Sequence, residues 1–350
     1  MNTNIEISNI NKHFLLNPEK SNMDNNSKKY KTKINDLCFS SINEANISDI
    51  IQNISDYDNN YKIVEYYDFI NIEEINDEFS RNRIKNNENK YLIFKYKKEN
   101  YIPFCDFLFH IETPKQFIFN CIESFSHLLK SLIQLNKNNI CFFNLSSSSI
   151  SFHFDKPIIQ HFQLSLQVLK LNNNYIENII QNLNDYTNKP LEIHVLFYII
   201  KNNLSSISYS FIEEICEVFV DNLNILHLFS ENYKHSYKLA CIESLKKYLN
   251  LSKNDIIQSI LEENEKWDIY SLSVIYLHIF GNFSRVFSLK QTFFTKIMME
   301  LCKNIHPEPS KRSTLKKLQE SFESLLCIDW SFVNKLSCDK MSLLLKELER

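Results

Sequence analysis

The chain contains one glycine, Gly281, among its 350 residues. Glycine readily adopts positive φ and, having no Cβ, lets a phosphate group approach the backbone closely. The phosphate-binding loops of P-loop and Rossmann proteins each need several such positions. The glycine count alone therefore excludes both of these common ways of binding a nucleotide.

The rest of the composition is that of a globular protein whose source genome is rich in A and T. Hydrophobic residues make up 44% of the chain, enough for the core of one large domain or two ordinary ones. Alanine is rare, whereas Asn, Ile, Lys, Phe and Tyr, which have AT-rich codons, are abundant. The formal net charge is −3, and the sequence contains no basic stripe. We therefore expect no nucleic-acid partner.

The cysteines and the apolar segments indicate a soluble intracellular protein. The nine cysteines are scattered and odd in number, without a CxxC pair, as is typical of reduced core thiols in a cytosolic protein. The N-terminus has no signal-peptide pattern. The longest apolar stretch, residues 269–280, is too short to span a bilayer. We therefore expect a cytoplasmic location and no membrane contact.

The first third of the chain predicts a small mixed α/β region. Residues 1–30 are polar and aperiodic and predict a flexible arm. Apolar residues from Ile47 recur at helical spacing and predict a short helix. β-Branched and aromatic residues predict strands over 61–72 and 91–96, with a loop over 82–90 between them.

A strong helix signal follows. Thr113, Pro114 and Gln116 have the types that favour a helix start, because Thr caps well and proline fits the first turn. The apolar spacing behind them predicts a long amphipathic helix that ends near Asn136. Three short strand-like runs come next, over 140–143, 150–154 and 157–162, with a turn at Asp155 before the third.

The remainder predicts a helical region. Helical spacing recurs over 191–202, 210–223, 237–249, 255–262, 268–280, 290–303 and 315–326. A terminal helix over Met341–Leu348 is expected to pack on the rest of the protein. The sequence thus predicts an α+β protein with a small strand-bearing part and a large helical part.

This order of elements, together with several motifs, resembles the protein kinase superfamily. Residues 139–152, containing Phe-Phe-Asn-Leu-Ser, lie where a kinase has its catalytic loop. Residues 156–165 lie where the strand ending in Asp-Phe-Gly would be. Trp267-Asp-Ile-Tyr-Ser-Leu-Ser-Val is similar to the start of the central large-lobe helix. His306-Pro-Glu-Pro-Ser-Lys-Arg-Ser-Thr resembles the segment that leads into the last kinase helix.

The resemblance implies a two-lobed kinase-like fold with a degenerate N-lobe. Its expected parts, after the arm over 1–30, are an N-lobe over 31–104, a helical C-lobe over 105–326 and a C-terminal extension over 327–350. The stretch between Glu192 and Asp268 is much longer than in ordinary kinases. We interpret about 200–262 as a helical insertion and as the expected docking surface for a partner.

By this resemblance, three residues hold the fold. Asp268 matches the central-helix aspartate that accepts backbone hydrogen bonds from the catalytic loop. Glu192 matches the glutamate of Ala-Pro-Glu, and Arg312 the arginine of the last helix; in the family these two form a buried ion pair. The Glu192 match depends on a short Pro-x-Glu motif.

The residues at the chemical positions are of other types. Asn144 replaces the catalytic aspartate and has no useful basicity. Ser149 replaces the metal-binding asparagine. His161 and Gln163 replace the aspartate and glycine of Asp-Phe-Gly, and Mg²⁺ prefers carboxylate oxygen to imidazole nitrogen. We expect no intact catalytic residue, no metal site and no cofactor.

Only weak candidates exist for the remaining chemistry. Lys31 and Lys33 are the possible counterparts of the strand lysine that kinases use. Cys141 lies in an apolar strand without a positioned base, which indicates an inert thiol. His153 and His161 could form a metal pair, but two histidines without a further ligand are more often structural.

The expected function is that of a catalytically inactive pseudokinase that acts as a scaffold or regulatory partner of another protein. Its Phe-Phe-Asn-Leu-Ser loop and AT-rich codons resemble kinase-like chains of large DNA viruses, for which the compartment would be the host cytoplasm. The alternative is an active Ser/Thr kinase that uses ATP, Mg²⁺ and a displaced acid such as Asp155 or Asp185. A helical protein unrelated to kinases is the third possibility.

Overall fold

The computed structural model describes residues 29–71, 90–289, 292–326 and 331–349. They form an α+β protein that is mostly helical, as the sequence predicts. The predicted arm lies outside the described residues except for Lys29 and Tyr30, and Tyr30 already belongs to a strand. The predicted loop over 82–90 also lies outside them, apart from Lys90, which begins a strand.

An antiparallel three-stranded sheet forms the first part of the described chain. Its order is β1 (Tyr30–Asp36), β4 (Lys90–Lys97) and β3 (Tyr66–Asn71). Helix α1 (Phe39–Ile51) packs beside it. Buried residues of the helix, the sheet and the segment before β3 form a small separate core, which consists of Ala45, Val64, Leu92 and Phe94.

The strand predicted over 61–72 is two strands in different sheets. β2 (Tyr61–Lys62) pairs in parallel with β8 (Lys156–Gln160), whereas β3 pairs with β4. Between them the side chain of Gln52 donates hydrogen bonds to the carbonyls of Val64 and Glu65. The Val64 and Glu65 carbonyls are thus bound from the end of α1, while the Glu65 N–H donates a hydrogen bond to the Lys95 carbonyl of β4. The continuous apolar run in the sequence therefore conceals a break.

Two further sheets are small. β2, β8, β7 (Ile150–His153) and β5 (Ile102–Pro103) form the first, in that order. β6 (Ile140–Cys141) and β9 (Leu166–Gln167) form the second. The three predicted short strands are therefore present and shorter than expected, with Asp155 in the turn between β7 and β8.

Helix α3 (Pro114–Lys137) agrees closely with its prediction. The Thr113 side chain accepts a hydrogen bond from the Gln116 backbone N–H, and proline occupies the first turn. The helix buries its apolar stripe, including Phe117, Phe125 and Leu132. Its hydroxyl at Ser124 meets that of Tyr276 at 2.7 Å, deep in the core.

The later helices are also present. They are α5 (Leu191–Lys201), α6 (Tyr209–Asn222), α7 (Glu231–Leu245), α8 (Lys253–Leu261), α9 (Trp267–Val286), α10 (Phe293–Asn304), α11 (Leu315–Leu325) and α12 (Met341–Leu348). The sequence missed α2 (Phe104–Phe109) and α4 (Asn173–Asn182). α7 also begins earlier than predicted, where the Ser230 hydroxyl caps its first turn.

Helix α9 is the centre of the helical part and is buried along almost its whole length. The only glycine of the chain lies in it: a Cβ at Gly281 would collide with the Leu228 side chain of the adjoining 3₁₀ turn (Asn224–Leu228). α12 packs on α9, with Met341 and Leu344 buried and the Arg285–Glu347 ion pair at its end. The C-terminal helix is thus a packing helix.

Candidate functional site

The candidate site is built around Asp268, in the first turn of α9. Its side chain is almost fully buried, and its two carboxylate oxygens accept hydrogen bonds from the backbone N–H groups of Phe142 and Phe143, each at 2.7 Å. These are the hydrogen bonds that the resemblance implies for this residue. Burial raises the pKa of the Asp268 carboxyl, and the two N–H donors oppose that rise.

Lys189 also binds the loop that Asp268 holds, and the sequence did not reveal this role. We call these contacts of Asp268 and Lys189 the first anchor. Phe143 has left-handed backbone geometry with φ 64°, which is costly for a bulky side chain unless its surroundings fix it. The Lys189 ammonium is buried and donates a hydrogen bond to the Phe143 carbonyl at 3.0 Å. The Phe143 residue is therefore held through its N–H by Asp268 and through its carbonyl by Lys189.

Burial makes the charged form of the Lys189 side chain less favourable. Burial lowers its pKa to about 8, although the nearby carboxylate of Asp268 opposes that change. Nothing in the segment Lys189-Pro-Leu-Glu192 signals burial of the lysine, because lysine is normally exposed. No sequence pattern would therefore have placed it in the site.

A second anchor fixes the start of α5 to the segment before α11. Arg312 and Glu192 are buried and form a bidentate ion pair with N–O distances of 2.6 and 2.9 Å. Arg312 also donates hydrogen bonds to the carbonyls of His306 and Pro307. The short Pro-x-Glu motif therefore marks a residue that does pair with Arg312.

The two residues expected in the degenerate catalytic loop have different surroundings. Ser149 is buried in a 3₁₀ turn, where its hydroxyl donates to the Ser146 carbonyl and accepts from the Ser146 N–H. Asn144 is half-buried, and its side chain lies beside a polar cavity. Ser149 thus caps a turn, while Asn144 faces a space that a ligand could enter.

The residues His161 and Gln163 lie directly after β8. His161 has φ 72°, and Phe162 is fully buried against Phe142, with ring centroids 5.1 Å apart. The Asn43 side chain on α1 donates hydrogen bonds to the carbonyls of Gln163 and Ser165, at 3.1 and 2.8 Å. These contacts tie α1 firmly to the segment that follows β8.

A cavity of about 830 Å³, here called the sheet-side cavity, lies between the three-stranded sheet, α1 and His161. Its lining includes the lysines Lys31, Lys33, Lys62, Lys97 and Lys98. The acids that line it are Asp36, Glu44 and Glu99. Its formal charge is therefore positive, which favours anions and disfavours Mg²⁺.

The lysines affect two of the titratable groups in the cavity. The pKa of His161 is lowered by burial first and then by the charges of Lys62 and Lys33. The pKa of Glu44 is raised by burial, against the attraction of Lys33. Of the two lysines proposed from the sequence, Lys33 is thus the one that acts on an acid of α1.

A second, polar cavity of about 420 Å³ is here called the loop-side cavity. Asn144, Gln163, Asp185 and Lys189 line it, and Ser40 and Gln163 line both cavities. Asp185 accepts hydrogen bonds from the N–H and hydroxyl of Thr187, which lower its pKa. The structure therefore brings one of the two proposed displaced acids into the same cavity as Asn144.

Other residues proposed from the sequence lie elsewhere. Asp155 is exposed in the turn after β7 and lines neither cavity. His153 lies at the end of β7 near Glu99, with its ring against Tyr101. Cys141 is fully buried, and burial raises the pKa of its thiol well above the usual value.

The thiols differ in part from the prediction of reduced core cysteines. The cysteines of the described ranges are all free, and Cys121, Cys141, Cys216 and Cys241 are buried. Cys38, Cys105 and Cys338 are instead exposed. The prediction was wrong for these three, which lie at or near helix starts where the small side chain needs no core position.

Neither metal ligands in the described residues nor similarity to known proteins assigns a function to this site. The described part of the chain contains no group of three or more His, Cys, Asp or Glu residues placed to hold a metal ion. None of the helices formed by those residues has the length and apolarity needed to cross a bilayer. No protein-family model matches the sequence, and no curated protein is similar enough to be a relative.

Proposed function

We propose that this chain is a protein-kinase-like protein that has lost phosphoryl transfer and acts as a scaffold or regulatory partner of another protein. The proposal depends on a difference between two groups of polar residues, those at the positions that hold the fold and those at the positions of the chemistry. The Asp268 and Glu192–Arg312 contacts that the resemblance implies for the fold are formed. The residues at the positions of the chemistry are Asn144, Ser149 and His161, none of which is a carboxylate.

The geometry supports the loss of the reaction at two steps. A kinase needs a base that accepts the proton of the substrate hydroxyl, and the amide of Asn144 cannot do so at pH 7. A kinase also holds Mg²⁺ through an aspartate and an asparagine. Here His161 lies among lysines, and the Ser149 hydroxyl is used within its own turn.

The sheet-side cavity gives additional support for a kinase-like arrangement. In protein kinases a strand lysine pairs with a glutamate of the next helix in the chain. β1 carries Lys33, α1 carries Glu44, and both side chains line this cavity. The sheet order β1–β4–β3 places this strand at an edge of the sheet that the described residues form.

The segment between Glu192 and Asp268 is the proposed partner surface. It contains α6, α7 and α8 in addition to α5. Val218 on α6 and Leu239 on α7 are exposed apolar residues of this segment. The free thiols are compatible with a reducing compartment such as the cytoplasm. If the chain is viral, this would be the cytoplasm of the host cell.

A thermal-shift titration tests the loss of catalysis. The melting temperature is measured with ATP alone, with Mg²⁺ alone and with both. We expect no increase that requires Mg²⁺, because the residues near His161 repel a cation. A large increase seen only with ATP and Mg²⁺ together would contradict the proposal, since a ligand that binds the native state raises its stability.

The active-kinase alternative has one observation in its favour, which is that Asp185 lines the same cavity as Asn144. Its test is autophosphorylation of the purified protein with labelled ATP and Mg²⁺. Incorporation that is lost in Asp185→Asn and kept in Asp155→Asn would establish a displaced base. We expect no incorporation in the wild type, because Asp185 is already bound by Thr187.

A further inference from the structure

Most lysines of the sheet-side cavity have no acidic partner at close range. Lys97 is the exception, because its ammonium lies 3.3 Å from a carboxylate oxygen of Asp58 and 3.9 Å from one of Glu65. Within the described ranges no ion pair is formed by the other four lysines that line the cavity, which are Lys31, Lys33, Lys62 and Lys98. The cavity therefore presents several positive charges that no neighbouring carboxylate pairs with directly.

These charges also act on one another. The pKa of the half-buried Lys62 is lowered by burial first and then by the charge of Lys31. Lys62 and Lys33 in turn add to the effect of burial in lowering the pKa of His161. Like charges that face a shared space repel each other, and an anion placed in that space would replace the repulsion by attraction.

The acids of the lining do not balance the lysines. Glu44 is buried and accepts a hydrogen bond from the Tyr96 hydroxyl at 3.4 Å, and Glu99 accepts one from the Tyr101 hydroxyl. Asp36, the third acid, is exposed at the end of β1. Three carboxylates thus stand against five lysines in the described lining, and two of the three already have a hydrogen-bond donor.

The type and placement of the cations indicate phosphate groups. Arginine is preferred where a carboxylate is bound through two parallel hydrogen bonds, whereas lysine binds phosphate as a point charge. Among the described residues no arginine lines this cavity. Its volume of about 830 Å³ lies within the range of small-molecule sites, about 300–1,000 Å³. The lysines belong to β1 and β2 and to the end of β4 and the residue after it, so several phosphate groups of one molecule can each meet a different lysine.

We propose that the sheet-side cavity binds a soluble small molecule with several phosphate groups, through Lys31, Lys33 and Lys62 and without a divalent cation. The inference rests on the proposed function in one respect, because a cavity that held an Mg²⁺–nucleotide complex for catalysis would not be free for this ligand. Lys31 and Lys33 belong to β1, whereas Lys62 belongs to β2 of a different sheet. A bound polyphosphate would connect the two sheets and give the proposed scaffold a state that depends on the ligand.

Calorimetric titration of the full chain with inositol hexakisphosphate in EDTA tests the proposal. We expect binding without any divalent cation, and weaker binding as the salt concentration rises, because salt screens charges that water can reach. Tripolyphosphate and ATP are titrated in the same buffer, since both carry a triphosphate and only ATP has a base. We expect ATP to bind no more tightly than tripolyphosphate, because the lysines recognise the phosphate groups alone.

Lysine variants locate the binding. Lys62→Met and Lys33→Met should each weaken the binding of inositol hexakisphosphate about tenfold or more, which is the effect of one charge-assisted hydrogen bond. The matched control is Lys316→Met, which removes the same charge from an exposed position on α11 and should leave the affinity nearly unchanged. Circular dichroism checks the fold of each variant, and Lys33, which is exposed, provides the test if Lys62→Met does not fold.

Four results would overturn the inference. They are no binding by the wild type in EDTA, equal weakening by Lys316→Met and by the cavity variants, clearly tighter binding of ATP than of tripolyphosphate, and a preference for a lipid headgroup. The last is tested with phosphatidylcholine vesicles that contain phosphatidylinositol bisphosphate, which would capture the chain where free inositol hexakisphosphate does not bind. Binding that appears only with Mg²⁺ would contradict the proposed loss of catalysis as well, whereas no binding in either condition overturns this inference alone.

Discussion

Two sets of polar residues in this protein have opposite surroundings. Asp268, Lys189, Glu192 and Arg312 are buried, and each has a charged partner or backbone hydrogen bonds at distances of 2.6–3.0 Å. Asn144, His161 and Asp185 lie beside water-accessible cavities. Asn144 is neutral, burial and then lysine charges lower the pKa of His161, and Asp185 is hydrogen-bonded within its own turn. The first set can hold a loop in a fixed place, while the second consists of an amide, an imidazole with a lowered pKa and a carboxylate that is hydrogen-bonded within its own turn.

The two sets differ in how much a substitution should change the stability of the fold. A buried charge that loses its partner destabilises the whole fold, so the first set tolerates little change. A residue beside a cavity can change with little effect on stability, provided that no reaction depends on it. The proposed loss of phosphoryl transfer depends on this difference between the two sets.

The largest expected effect comes from breaking the buried ion pair. Arg312→Met leaves the Glu192 carboxylate buried without its partner, and we expect the free energy of unfolding to fall by about 3–5 kcal/mol. Urea denaturation of the purified chain measures it. The matched control is Arg285→Met, which removes the pair with Glu347 in which the arginine is exposed and should cost about 1 kcal/mol or less. Equal losses in the two variants would contradict the comparison.

The next effect concerns Asp268. Asp268→Asn removes the charge and leaves one of the two loop N–H groups facing an amide N–H₂, so we expect a loss of about 2–3 kcal/mol. Asn144→Asp is the contrasting variant, because it alters the cavity side of the same loop. It should change stability by about 0.5 kcal/mol or less and should not create phosphoryl transfer. A stability loss in Asn144→Asp as large as that in Asp268→Asn would remove the distinction between the two sets.

Much of the fold could be predicted because helices signal themselves locally. The cap at Thr113 and the apolar stripe behind it specify α3 almost to its ends. The helical spacing over 290–303 also predicts α10, with a start three residues too early. The break between β2 and β3 could not be predicted in this way. It depends on hydrogen bonds from Gln52, which is distant in sequence from the strand that it interrupts.

The candidate site could be predicted only in part, for a related reason. Asp268, Glu192 and Arg312 were identified by their motifs, and each makes the expected contacts. Lys189 was missed because its role depends on burial, which the residues around it do not signal. The lysine lining of the sheet-side cavity was missed because Lys33 and Lys62 come from strands of different sheets.

The pH dependence of stability tests the role of Lys189. Its pKa is about 8 in the folded protein and 10.5 as the ordinary value, so between these values the unfolded chain binds more protons. Stability relative to Lys189→Met should therefore rise with pH, by about 2 kcal/mol between pH 8 and 10. Lys189→Arg is the control, because arginine stays charged and should not show the rise. If the wild type instead lost stability relative to Lys189→Met over this range, the lysine would not be a desolvated cation.

The smallest expected effect is the loss of stability on acidification that is due to His161. Burial, followed by Lys62 and Lys33, lowers the pKa of His161, so the unfolded chain takes up the proton first and folding is penalised as the pH falls below about 6.5. His161→Asn, which tolerates the left-handed backbone, should lose less stability than the wild type between pH 7.5 and 5 in urea denaturation. Lys62→Met should reduce the acid sensitivity of the wild type in the same direction, because it removes one of the two lysine charges that, after burial, lower this pKa. If acidification lowered the free energy of unfolding equally in the wild type and in His161→Asn, protonation of His161 would not be unfavourable in this cavity. The positive potential that argues against a metal ion there would then have no support.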